Sequence, residues 1–170
     1  QFGIKNNTMI WYTADNGPHS QMGQGRDRSA FPSLAATNGL RQCKASYFEG
    51  GIRVPGMLEW PGVINDNSKT WHPSGTVDYL HTILEVLDVP HPHPDWATDG
   101  ISLLPLINKL AAHPNQNDTS RRSEDHPLVF PGAIVNNEWK FTNGGQGQCQ
   151  LQHGTSANQT SNKFMLFNLN

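Results

Sequence analysis

A mixed α/β fold is what these 170 residues predict, with a βα portion over residues 1–110 and a small antiparallel sheet over residues 111–170. Two observations carry the prediction. In the first portion, short β-branched and aromatic runs alternate with stretches at helical spacing. In the second, brief apolar runs are separated by Asn- and Gly-rich turns, the pattern of strands joined by loops.

Thr8-Met9-Ile10-Trp11-Tyr12-Thr13 reads as a buried strand that stops at the turn Asp15-Asn16-Gly17. Residues 18–43 are rich in Gly, Ser, Gln and Asn with little period, and read as a long, mostly irregular loop, of a kind that is usually functional or mobile. Gly56 to Trp60 is a second strand, closed by Pro61-Gly62. Val77, Leu80, Ile83, Leu84 and Leu87 then fall on one helical face, with Ser74 or Thr76 as cap and Pro90 beyond the end. A shorter helix over Ser102 to Leu110 would bury Leu103, Leu106, Ile107 and Leu110. The tract from Ala111 to Asp125 is polar and reads as a surface loop. Leu128 to Val135, Trp139 to Thr142 and Phe164 to Leu169 read as the strands of the antiparallel sheet.

Composition excludes several functions. Charged residues make up only 15% of the chain and the formal net charge is −2. With no Arg-rich run or basic patch, a nucleic-acid partner is not expected. Apolar runs fall far short of the ~20 residues of a membrane span. The eight histidines are scattered and form no His-x-x-x-His pair, so no zinc site is expected. The chain opens without methionine and breaks off within the apolar run Phe164-Met165-Leu166-Phe167, so it reads as an internal segment of something longer. Asn6, Asn117 and Asn158 each begin an Asn-x-Ser/Thr triplet, a glycosylation signal if the protein enters the secretory route. The two cysteines, Cys43 and Cys149, are too far apart for a Cys-x-x-Cys motif, and their number alone leaves unpaired thiols as an open reading.

Chemistry concentrates in two places. Asp15 and Asn16 put two hard oxygen donors side by side after a strand, the donor set of a divalent cation, although Asp-Asn-Gly is also a common turn. Lys44 puts a positive charge shortly before the turn Glu49-Gly50-Gly51, where it could meet an oxyanion, although a lone lysine is ordinarily a solvated one. A metal and a lysine converging on one anionic group form an ester-cleaving site. Glu49 and Arg53 read as a pair that shapes the turn, Asp78 as a helix N-terminal acid, and His19 as a substrate-binding candidate close behind Asn16-Gly17-Pro18.

The ordered series Tyr12-Thr13-Ala14-Asp15-Asn16-Gly17-Pro18, Lys44, Phe48-Glu49-Gly50-Gly51-Ile52-Arg53-Val54-Pro55, Trp60-Pro61-Gly62, Val77-Asp78-Tyr79-Leu80, Asp99 to Leu106, Glu138-Trp139-Lys140 and Leu166-Phe167-Asn168-Leu169 resembles the C-terminal half of a sulfatase, in the branch of arylsulfatase A and galactosamine-6-sulfatase. The resemblance implies an alkaline-phosphatase-like mixed sheet and hydrolysis of aryl or carbohydrate sulfate esters. It implies Asp15 and Asn16 as ligands of calcium, or of magnesium, and Lys44 as the catalytic group that contacts sulfate. The formylglycine nucleophile and the paired aspartates belong to the other half, since no Cys/Ser-x-Pro-x-Arg motif occurs here, and the segment alone is expected to be inactive. The resemblance also implies a secreted or lysosomal location and a Cys43–Cys149 disulfide that ties the Lys44 loop to the loop before the last strand. In one departure, Cys43 stands where relatives carry Gly before the lysine. Two other functions remain open at this level: a phosphodiesterase or phosphonate hydrolase of the same superfamily, which often has Asp-His-Gly where this chain has Asp15-Asn16-Gly17, and a non-catalytic sulfatase-like binding module.

Overall fold

A computed structural model of the chain describes residues 2–18, 37–64, 68–143 and 164–169. Among these residues, helices and three small sheets alternate in a mixed α/β arrangement. A short 3₁₀ turn, Lys5–Asn7, leads into β1, Ile10–Thr13. β1 pairs antiparallel with β2, Gly56–Glu59, in the register Ile10↔Glu59 to Thr13↔Gly56. Between them lies a single helical turn, α1, Glu49–Ile52. β1 is half-exposed rather than buried, because among the described residues it has one strand neighbour and turns Ile10 and Tyr12 outward.

The long helix α2 spans Val77–Val86 and ends in a left-handed residue, Asp88 at φ 52°, whose successor Val89 donates its N–H back to Leu84 O at 2.9 Å. Its apolar face is the more exposed one. Val77, Leu80, Ile83 and Leu87 are exposed, and the buried residues are Asp78 and Thr82. Hydrogen bonding explains the arrangement. Thr82 Oγ1 donates to Asp78 O at 2.7 Å and accepts the Leu103 N–H at 2.9 Å, and Asp78 accepts the N–H groups of Gly75 and Ile101 at 2.8 and 2.9 Å. The polar edge of α2 thus satisfies the chain that crosses beneath it, as buried backbone polar groups require. Neither Ser74 nor Thr76 makes a side-chain cap, and Asp78 performs that work from inside the helix. On the neighbouring edge Tyr79 packs on Trp11 of β1, with ring centroids 4.4 Å apart.

α3, Leu104–Ala112, begins two residues later than its sequence period predicts. Leu103 and Ile107 are buried, while Leu106 and Leu110 are only partly so. The following polar tract is more than a surface loop. β4, Asn117–Asp118, pairs parallel with β3, Lys69–Thr70. Arg122 sits fully buried and forms a two-pronged ion pair with Asp78, both bonds at 2.8 Å. It also donates to the carbonyls of His126, Pro73 and Asp99.

The C-terminal sheet is a four-stranded antiparallel meander, β5 Leu128–Phe130, β6 Ala133–Asn136, β7 Trp139–Thr142 and β8 Met165–Asn168. The single run expected over Leu128 to Val135 is a hairpin, since Pro131-Gly132 breaks it into β5 and β6. Its inner face carries Leu128, Ala133, Val135, Lys140 and Thr142, all buried. The outer face carries Val129, Ile134, Phe141 and Leu166, which stand opposite one another across the four strands.

Beside β4 lies a titratable cluster with a readable pH dependence. Burial raises the Asp118 pKa, but hydrogen bonds from Lys109, Ser120 and Thr70 outweigh it and hold the carboxyl well below the usual range. The pKa of His72, whose ring nitrogens are both buried, is also lowered, here in favour of the neutral form: burial first, and then the Arg122 charge, bring it below 6.5. The folded state therefore prefers the neutral ring, while the unfolded chain takes up a proton near 6.5. The stability due to this group is complete above that pH and is lost as pH falls below it. We expect the melting temperature of the full-length protein to fall between about pH 7.5 and 5.5, and His72→Gln to flatten that slope. An unchanged slope in the variant would remove His72 from the account.

Candidate functional site

The turn after β1 is built on backbone contact. Asp15 Oδ1 accepts the Asn16 N–H at 3.0 Å, and Asn16 Nδ2 donates to Gly17 O at 2.8 Å. With its amide nitrogen so engaged, Asn16 keeps its side-chain oxygen as an acceptor, next to the exposed Asp15 carboxylate. Gly17 donates its N–H to Gly51 O at 2.8 Å, and a Cβ on Gly17 would lie 1.8 Å from Gly50 O. A side chain at this position has no room.

The Lys44 loop lies against the same glycines. Gly50 donates to Arg41 O at 2.8 Å, Ser46 to Cys43 O at 3.1 Å, and the Lys44 N–H to Pro18 O at 3.0 Å. Cβ atoms on Gly50 and Gly51 would fall 1.9 Å from Gln42 O and 2.1 Å from Ser46 O. Gln42 and Ala45 adopt left-handed conformations at φ 65° and 68°, on either side of Cys43-Lys44. Such conformations are costly for residues with a Cβ, and they persist where the surroundings over-determine them. The tight Glu49-Gly50-Gly51 turn expected from sequence is in fact one turn of helix, and its glycines serve close backbone approach rather than positive φ.

The structure therefore joins the Asp15-Asn16 turn and the Lys44 loop through backbone hydrogen bonds around Gly17, Gly50 and Gly51. Asp15 and Lys44 both have exposed side chains, and Asn16 is half-buried. Beside them is an open depression of about 540 Å³ lined by Asn16, Gly17, Pro18, Gly50, Arg53 and Val54, among others. Asp15 and Lys44 are not part of its lining. Among the described residues no group of three or more His, Cys, Asp or Glu converges, so a cation on Asp15 and Asn16 needs further ligands from elsewhere. The oxygen chemistry of the two residues fits a hard cation such as calcium.

Of the other sequence candidates, His19, Cys149 and Asn158 lie outside the described residues. Cys43 is buried at 1% exposure. Asn6 is exposed in the 3₁₀ turn, and Asn117 and Thr119 are both exposed on and after β4. Glu49 is held less by Arg53, at 3.9 Å, than by Lys140 of β7, at 2.5 Å. Burial lowers the Lys140 pKa and Glu49 opposes that shift. Sequence reasoning missed this partner. Strand alternation places Lys140 opposite Trp139 and Phe141, but does not say which face turns inward.

Comparison with known proteins gives the class. The family model described as Sulfatase matches residues 1–89. Human steryl-sulfatase is 34% identical over 128 residues, 75% of this chain and 19% of that protein. Rat steryl-sulfatase is 35% identical over 109 residues, 63% of this chain and 18% of its own length. Human arylsulfatase A, whose branch the motifs resemble, is 31% identical over 116 residues, 68% of this chain and 20% of that protein. The chain belongs to the sulfatase family. It spans about a fifth of the length of these relatives.

Proposed function

We propose that this segment forms one wall of the active site of a sulfatase that hydrolyses aryl or carbohydrate sulfate esters. The observation that carries the reading is the backbone junction between the Asp15-Asn16-Gly17 turn and the Lys44 loop, through Gly17 to Gly51 and Lys44 to Pro18. Asp15 and Asn16 would hold calcium through a carboxylate and an amide oxygen, with the remaining ligands and the formylglycine nucleophile supplied by other parts of the polypeptide. Together, that cation and nucleophile would polarise the sulfate and attack its sulfur. Lys44, exposed and cationic, would bind the sulfate oxygens and stabilise the charge that grows on the bridging oxygen as the ester bond breaks. His19 would bind the substrate. The alkaline-phosphatase-like sheet, the Cys43–Cys149 disulfide, glycans at Asn6, Asn117 and Asn158, and a secreted or lysosomal location belong to the same proposal.

Calcium titration and turnover of the full-length protein test it together. The protein should release sulfate from an aryl sulfate, lose that activity to a chelator and regain it with calcium. Asp15→Ala should weaken calcium binding and turnover in parallel. The segment purified by itself should be inactive. Undiminished calcium binding by Asp15→Ala would remove that residue from the metal site, and cleavage of an aryl phosphate diester in preference to the sulfate would assign the superfamily's other chemistry.

A further inference from the structure

We propose that Lys140, on the third strand of the C-terminal sheet, is a positioning residue that sets the Asp15-Asn16-Gly17 turn and the Lys44 loop through its ion pair with Glu49. This inference rests on the active-site reading above and adds the part that holds the site in place.

Three consecutive residues ahead of the glycine pair engage the sheet. The Tyr47 ring fills the space beside Gly132 in the β5–β6 turn, where a Cβ would come within 2.4 Å of it. Phe48 meets Phe167 of β8 edge-on, with centroids 5.9 Å apart. Glu49 Oε1 takes the Lys140 ammonium at 2.5 Å, and Lys140 is only 1% exposed. Phe167 and Lys140 face each other in the β7–β8 register, so two of these contacts are side by side on the sheet.

From Glu49 onward there is no slack. It is the first residue of α1, and the next two are Gly50 and Gly51, whose backbones touch those of Gln42, Ser46 and Gly17 so closely that a methyl group could not enter. A shift of α1 must therefore move the Asp15-Asn16 turn through the Gly17–Gly51 bond and the Lys44 loop through the Gly50–Arg41 bond. An ammonium buried this deeply is retained only with a partner, and removal of its charge leaves the Glu49 carboxylate partly buried without its nearest cation. The geometry needs the charge, the length and the direction of Lys140. The sheet is thus the scaffold of a site to which it need contribute no reacting atom.

The test uses the full-length protein with Lys140→Met, Lys140→Arg and Glu49→Gln, read by amide hydrogen exchange and by kinetics. In Lys140→Met, exchange in peptides covering residues 13–18 and 40–52 should accelerate by about tenfold or more, while the α2 peptide over residues 77–86 stays as in wild type. Glu49→Gln should repeat that local pattern, and Lys140→Arg, which keeps the charge, should restore part of the protection. On an aryl sulfate, kcat should fall by about tenfold or more in Lys140→Met with KM moved by much less. Unchanged exchange in both loops, or equal acceleration in α2, would overturn the inference, the latter by showing a general loss of stability. Hydrogen exchange decides the matter even if the wild-type protein cleaves no sulfate ester. In that case the proposed function fails and the positioning role stands or falls by itself.

Discussion

Lys44→Ala in the full-length protein is expected to lower sulfate-ester turnover by roughly 10²-fold or more, as removal of a charge stabiliser in an active site does, with little change in melting temperature. The two halves of that expectation have separate physical grounds. The Lys44 side chain is exposed, so its truncation uncovers no core, and exposed substitutions ordinarily move stability by less than about 0.5 kcal/mol. What holds the loop is its backbone, through the Lys44 N–H to Pro18 O, and alanine keeps that bond. On the proposed reading, the lost ammonium is the group that meets the negative charge of the sulfate. Lys44→Arg is the informative companion, because it keeps the charge and changes reach and shape. Partial activity there, with none of it in Lys44→Ala, would separate electrostatics from a specific proton transfer. Wild-type turnover in Lys44→Ala, measured by initial rates with the nucleophile intact, would end the assignment.

The largest effect on stability is expected at Arg122. Arg122→Met should destabilise the protein by about 3–5 kcal/mol, the cost of leaving a buried charge without its partner. Asp78 and Arg122 are both fully buried, and their paired bonds at 2.8 Å join α2 to the chain beyond β4. Arg122 further closes on the carbonyls of Pro73, Asp99 and His126, so its loss also orphans backbone acceptors. Replacing both partners, as in Asp78→Leu with Arg122→Met, should cost less than the sum of the single changes, since no unpaired charge remains. Denaturant unfolding of the three variants measures the coupling. A loss for Arg122→Met below about 1 kcal/mol, in the range of exposed pairs, would contradict the buried network.

These two residues mark opposite ends of what the sequence made legible. Lys44 is proposed from local patterns alone, a lysine shortly ahead of Glu49-Gly50-Gly51 and an Asp-Asn pair after a strand. Arg122 carries no such pattern. It stands in Arg121-Arg122-Ser123-Glu124-Asp125, a run that reads as solvated surface, and only its meeting with Asp78, 44 residues earlier, makes it a core residue. Lys140 is similar: it reaches across 91 residues to Glu49. Pro131-Gly132 was a local signal within an apolar run, and it divides the run expected over Leu128 to Val135 into β5 and β6.

By itself the sequence determined the kinds of local structure, the order of the motifs and hence the sulfatase family, because backbone propensity, turn chemistry and motif spacing act over a few residues. It also placed the apolar residues of α2 on one helical face. Tertiary structure decided which residues are buried: Asp78 and Thr82 rather than the apolar face of α2, and in β7 Lys140 and Thr142, beside Leu128, Ala133 and Val135 of the neighbouring strands. The reason is that periodicity fixes only the difference between faces, whereas burial depends on which partners the neighbouring chain offers. Here those partners are backbone N–H groups at Gly75, Ile101 and Leu103 and the charges of Arg122 and Glu49, which only polar side chains can satisfy.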